Sequence, residues 1–194
     1  MTAPLKIAVA GLGTVGAGLI RLVRQQAEVL ESRCARPLEI VAVSARNRDL
    51  DRGIDLTGTA WFDSPEAMAR EADADVVVEL IGGEDGIAKA VCEAAISAGR
   101  AGVTANKALL AHHGTGLARA AEEAGVALCY EAAVAGGIPI VKALREGLAG
   151  NQVGRIYGML NGTCNYILTA MRETGREFAE MLDHAQWMFI RADE

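Results

Sequence analysis

A short apolar run, Lys6-Ile7-Ala8-Val9-Ala10, ends on Gly11-Leu12-Gly13-Thr14-Val15-Gly16, and a helical pattern follows at once. Few features restrict a fold more. A strand that turns through GxGxxG into a helix gathers free N–H groups and the positive end of a helix dipole at one point. Each glycine has a separate duty in such a turn: Gly11 permits the tight bend, Gly13 lets a pyrophosphate approach the backbone, and Gly16 allows close helix–strand packing. The plainer alternative is a glycine-rich packing turn with no ligand.

The rest of the chain supplies the context that gives this motif meaning. Apolar Val15, Leu19, Ile20 and Val23 predict one face of a helix lasting to about Leu30. Leu38–Val43 reads as a second strand, and Ser64-Pro65-Glu66 as a helix start with a serine cap and proline in the first turn. Asp75–Ile81 is a third strand, Asp85 a candidate cap for a helix to Ala98, and Ala101–Ala105 a fourth strand. A helix over Gly114–Glu123 leads into a strand over Val126–Glu131. Continuous apolar strands alternating with helices predict a parallel sheet covered on both faces. The fold class is therefore α/β, a Rossmann-type doubly wound sheet. Aromatics are only 4% of the residues, so Ala, Val, Leu and Ile must build the core.

The glycine-proline stretch Ala135–Pro139 predicts a boundary, giving a first domain over 1–138 and a second, incomplete α+β one over 139–194. There a helix over Ile140–Leu148, a strand over Val153–Leu160 and helical sequence to Trp187 are expected.

A net charge of −6 without a dense basic run speaks against nucleic acid. Cys34, Cys92, Cys129 and Cys164 are scattered without a CxxC pair, which points to reduced thiols rather than zinc or disulfides. The start lacks the pattern of a signal peptide, and no stretch approaches the ~20 apolar residues of a membrane span. The chain reads as cytoplasmic, with no membrane partner.

Two positions bear on chemistry. After the second strand the sequence is Ser44-Ala45-Arg46-Asn47-Arg48, with no acid before Asp49. An acid there would hold the ribose 2′-hydroxyl of NAD, whereas an arginine accommodates a 2′-phosphate. The segment leans towards NADP with Arg46 as the contact, NAD is left open, and a solvated basic loop is the alternative. Asn106-Lys107 falls at the exit of the fourth strand, the edge where open α/β sheets bind ligands. Lys107 there is either a functional amine or a solvated one. His112, His113 and His184 have no recognisable partners, and Cys164 reads as a small buried hydrophobe.

Glu131–Gly147 (EAAVAGGIPIVKALREG) and Gly158–Met171 (GMLNGTCNYILTAM) then resemble two signature stretches of homoserine dehydrogenases. With GLGTVG at Gly11–Gly16 and ANK at Ala105–Lys107, four motifs stand in that family's order, and the resemblance covers about residues 5 to 186. It implies NAD(P)-linked interconversion of L-homoserine and L-aspartate 4-semialdehyde, on the route to threonine, methionine and isoleucine. It implies that Gly11, Leu12, Gly13, Thr14, Val15 and Gly16 line the cofactor pyrophosphate, that Gly82 and Gly83 lie near the nicotinamide, and that Lys107 contacts cofactor and reacting atoms. It further implies a monovalent cation, usually sodium, on Glu131, Val134, Gly136 and Ile138. Asn161, Gly162 and Thr163 would border the substrate, although Thr163 equally fits a helix cap.

After Gln186 the sequence leaves the family pattern. The acid for the substrate amino group, a later aspartate and the proton-transfer lysine have no counterpart. Much of the part that forms the family's homodimer sheet is also missing. The resemblance therefore reads the chain as a C-terminally truncated member, whose alternative role is to bind the dinucleotide without turnover.

Overall fold

A computed structural model describes residues 2–158 and 162–192. Among these residues the strands β1 (Leu5–Ala10), β2 (Leu38–Ser44), β3 (Ala60–Phe62), β4 (Val76–Glu79), β5 (Ala101–Thr104) and β6 (Leu128–Cys129) form one sheet. All pairs are parallel, in the order β3-β2-β1-β4-β5-β6. The order reverses between β1 and β4, which is the crevice where doubly wound sheets take ligands.

β1 explains why its alternating side chains suit the centre of the sheet. Ile7 and Val9 face α1 (Thr14–Gln25) in a cluster with Ile20 and Val23. Ala8 and Ala10 join the opposite cluster with Met68, Val91 and Ala94. Those residues come from α3 (Pro65–Glu71) and α4 (Ile87–Ser97), which follow α2 (Ala27–Cys34) in chain order. Alanines on that face let the two helices lie close. Ile20 is fully buried, which contributes about 2–3 kcal/mol. Ser64 caps α3 as its sequence indicates, its hydroxyl accepting from the Ala67 N–H at 3.1 Å with Pro65 in the first turn.

Several expectations are corrected. The first helix is two helices broken at Gln26, and Val15 is exposed because it leaves the first turn away from the sheet. Gly86 starts α4 without a side-chain cap, and Asp85 instead meets His113. The helix α5 (Lys107–Ala124) starts seven residues before the expected Gly114, because Asn106 caps it. The last strand is shorter than Val126–Glu131, and Glu131 opens the short helix α6 (Glu131–Val134). The expected helix over Ile140–Leu148 is one turn, α7 (Ile140–Lys142), running into a π-turn over Ala143–Gly147.

Contacts divide the chain into two compact units, 1–147 and 148–194. In the second, residues 153–158 carry no strand, since no neighbouring strand among the described residues offers a ladder partner. Its core is a helical hairpin, α8 (Gly162–Thr174) and α9 (Phe178–Ala192), closed over Ile167, Met181 and Ala185. Gly175 makes the turn, its N–H donating to Met171 O at 2.9 Å.

Cys92 sits in the core between α4 and α5. Burial, with the charges of Glu79 and Glu93 adding to it, pushes its thiol up to about 12. Alkylation of the native chain at about pH 8 should therefore label exposed Cys34 and Cys129 and spare Cys92. Equal labelling of Cys92, read by peptide mass, contradicts this packing. The linkage has one sign: native Cys92 stays neutral while the unfolded thiol ionises above its ordinary 9.0, so this contribution to stability is lost as pH rises past that value.

Candidate functional site

The strands end on a common rung. Phe62, Ser44, Ala10, Glu79 and Thr104 stand side by side across β3, β2, β1, β4 and β5. Beyond it lie the glycine turn, the basic loop after β2, the Ile81–Gly83 loop and the start of α5. The glycine turn is tied down first: Gly11 N–H donates to Ser44 O at 2.9 Å, and Leu80 N–H to Ala10 O at 2.7 Å.

The three glycines are held to different standards. Gly11 has φ of +101°, and a Cβ there would lie 2.5 Å from Leu80 O. A Cβ on Gly16 would lie 1.9 Å from Gly11 O, so the first turn of α1 rests directly on the loop. A Cβ on Gly13 would meet nothing within 4 Å. The protein's own packing thus requires glycine at 11 and 16 but gives no reason for it at 13. The open space beside Gly13 leaves room for an external group. The first N–H groups of α1 lack intrahelical acceptors, and Gly13 offers no side-chain cap. Ser44 Oγ, on the same rung, is buried without a hydrogen-bond partner among the described residues. An open cradle of N–H donors fits a dinucleotide pyrophosphate.

A buried carboxylate shapes the neighbouring loop. Glu79 is 1% exposed and accepts from Ile81 N–H at 2.7 Å, Gly82 N–H at 3.1 Å and Thr104 Oγ1 at 2.6 Å. Thr104 Oγ1 in turn accepts from Asn106 N–H at 3.0 Å. Asn106 Oδ1 caps α5 through Leu109 N–H at 3.1 Å, and its Nδ2 donates to Gly83 O. One continuous chain of hydrogen bonds therefore fixes Gly82, Gly83 and the residue before Lys107. Lys107 itself is exposed at the first position of α5, just past the carboxyl end of β5.

Sequence reasoning passed over Glu79 and Thr104 because they sit in strands that read as plain apolar runs. The signal available was an acid within VVVELI, a buried-strand pattern that an unpaired charge does not tolerate.

Arg46 lies in the exposed loop after β2, as expected. The loop is organised by Arg52, also missed. Its Nε donates to Leu12 O at 3.0 Å, Nη1 to Leu50 O at 2.8 Å and Nη2 to Asn47 O. Trp61 lies beneath the guanidinia of both Arg48 and Arg52, at 5.7 and 5.9 Å.

The other candidates fall elsewhere. Glu131 accepts from Val141 N–H at 2.8 Å and Lys142 N–H at 2.9 Å, while Val134 and Ile138 are exposed around the Gly136-Gly137 turn. Gly162 and Thr163 are the first residues of α8 in the second unit, so Thr163 lies inside the helix and not at its cap. Asn161 lies outside the described residues. Cys164, in the first turn of α8, is exposed and not buried. Each histidine has a partner after all: His112 with Glu84 at 3.3 Å, His113 with Asp85 at 2.6 Å and His184 with Tyr166 at 2.7 Å.

A parallel sheet of this order, opened by a GxGxxG cradle at its carboxyl edge, defines a nicotinamide-dinucleotide-binding domain of the Rossmann class. Residues 11–131 match the family model of the homoserine dehydrogenase NAD-binding domain, and residues 139–191 that of homoserine dehydrogenase. The chain belongs to the homoserine dehydrogenase family.

Homoserine dehydrogenase of Neisseria gonorrhoeae is 46% identical over 183 residues, covering 94% of this chain and 42% of that protein. The crystal structure of the Thiobacillus denitrificans enzyme superposes with a TM-score of 0.79 at 40% identity, over 96% of this chain and 43% of that one. A hyperthermophilic archaeal homoserine dehydrogenase in complex with NADPH shares the fold at a TM-score of 0.74 and 24% identity, over 97% of this chain and 62% of its own. The chain spans about two fifths of the length of the curated relatives it matches. Among the described residues no helix is long and apolar enough to cross a membrane.

Proposed function

We propose that these residues form the cofactor half of a homoserine dehydrogenase, which interconverts L-homoserine and L-aspartate 4-semialdehyde with NADP preferred over NAD. The observation that carries the reading is the Glu79–Thr104–Asn106 chain, which holds the Gly82-Gly83 loop and the start of α5 beside an open glycine cradle. Family membership supplies the reaction.

The nicotinamide, when bound, exchanges a hydride with the substrate carbon. Gly11–Gly16 would hold the pyrophosphate through backbone N–H groups, and Arg46 the 2′-phosphate. Gly82 and Gly83 present backbone, and no side chain, where the reacting ring would lie. Removing the hydroxyl proton as the carbonyl forms needs a positioned base, typically ~10²–10⁴-fold in rate. Lys107 follows Asn106, whose side chain donates to Gly83 O, and its role is to contact cofactor and reacting atoms. Asn161, Gly162 and Thr163 would border the substrate.

Glu131 and the carbonyls of Val134, Gly136 and Ile138 are hard oxygen donors suited to sodium. The Glu131 oxygens already accept one N–H each, and Ile138 O accepts from Ile140 N–H at 2.8 Å. A lone pair remains on each for a weakly held cation, whose role would be to order the turn. A domain division at 138/139 and a cytoplasmic location complete the proposal.

The test is homoserine-dependent NADPH formation by the 194-residue chain at alkaline pH. Turnover abolished by Lys107→Met supports the catalytic reading. Saturable NADPH binding without turnover confines the chain to the cofactor half, and absence of both overturns the proposal.

A further inference from the structure

The glycine turn and the basic loop come from different connections of the sheet, and a single side chain joins them. Arg52 commits all three guanidinium nitrogens to main-chain carbonyls: Leu12 in the glycine turn, and Leu50 and Asn47 in its own loop. Its guanidinium carbon lies over the ring of Trp61 of β3, as does that of Arg48. Asn47 and Asp51 close the two bends of the loop through Asp49 N–H at 3.0 Å and Gly53 N–H at 2.9 Å. Arg46 stays exposed within the segment so fixed.

We infer that Arg52 is a positioning residue for cofactor discrimination: it sets the Arg46–Arg48 loop against the glycine turn so that a nucleotide 2′-phosphate meets a preformed basic site. The inference rests on the dinucleotide reading above. Three of its five N–H donors are held by carbonyls, so Arg52 is anchored in the loop and is not itself the residue assigned to bind phosphate. It fixes where Arg46 can. A planar fork with donors on three separate nitrogens spans the three carbonyls, whereas a lysine carries all its donors on one nitrogen.

The consequence is selective. A nucleotide without the 2′-phosphate does not use the basic loop, so it should feel the loss of Arg52 little. Equilibrium titration with NADPH and NADH, read by tryptophan-to-nicotinamide energy transfer, tests this on wild type, Arg52→Met, Arg52→Lys, Arg46→Ala and the Arg46→Ala/Arg52→Met pair. Thermal unfolding of each variant establishes that it is folded, and Arg52→Lys serves if Arg52→Met is not.

Wild type should prefer NADPH. Either Arg52 variant should weaken NADPH about tenfold, the size of one charge-assisted hydrogen bond lost at Arg46, and NADH by less than about threefold. The double variant should be no weaker for NADPH than Arg46→Ala, since Arg52 acts through Arg46. If wild type prefers NADPH but the Arg52 variants weaken both nucleotides equally, or add fully to Arg46→Ala, the arginine is merely structural and the inference is overturned. If wild type binds neither nucleotide, or both equally, the reading beneath it fails first.

Discussion

Replacing Glu79 with leucine should lower the unfolding free energy by about 3 kcal/mol, despite adding an apolar side chain to a sheet interior. Among the described residues the carboxylate accepts from Ile81 N–H, Gly82 N–H and Thr104 Oγ1, and each buried donor left unmet costs about 1–3 kcal/mol. The sum is held towards the low end because the two loop N–H groups are partly accessible to water. Thr104→Val removes two links, the donation to Glu79 and the acceptor for Asn106 N–H, and should cost about 1–3 kcal/mol. The two effects should not add, since they break one network. Urea midpoints give the result directly. A Glu79→Leu chain as stable as wild type contradicts the network.

The second large effect separates two glycines three residues apart. Gly16→Ala puts a Cβ on the Gly11 carbonyl, a backbone atom that no rotamer change moves. Relief requires α1 to lift from the turn, with a cost of about 3 kcal/mol, the upper end of ordinary overpacking. Gly13→Val meets open space, and the extended backbone at Gly13, with φ of −72° and ψ of −163°, accepts valine. Its cost is limited to a poorer cap, about 1 kcal/mol or less. Thermal unfolding should therefore show a marked loss for Gly16→Ala and nearly none for Gly13→Val. The reverse order contradicts the assignment of duties in the turn.

The parts of this fold legible in the sequence were those where a local rule agrees with the tertiary demand. The apolar runs of β1, β2 and β4, the GxGxxG turn and the Ser64-Pro65 helix start all declare themselves within a few residues. What local reading missed depends on partners far away in sequence. Asn106 caps α5 because Thr104 and Gly83 hold it, so the helix starts earlier than its apolar periodicity suggests. Glu131 leaves the strand because its carboxylate reaches Val141 and Lys142, ten and eleven residues on. Val15 reads as core by spacing and is exposed because the first turn of α1 overhangs the site. Arg52 belongs to no local motif, and only the folded loop shows three carbonyls around it.

The central claim is that the carboxyl edge around Gly13 takes a nicotinamide dinucleotide. NADPH titration of the 194-residue chain, beside Gly13→Val under the same conditions, tests it most directly. The account predicts saturable binding by wild type and its loss in a variant that unfolds at nearly the same temperature. Equal binding by the two chains, or none by wild type, contradicts it.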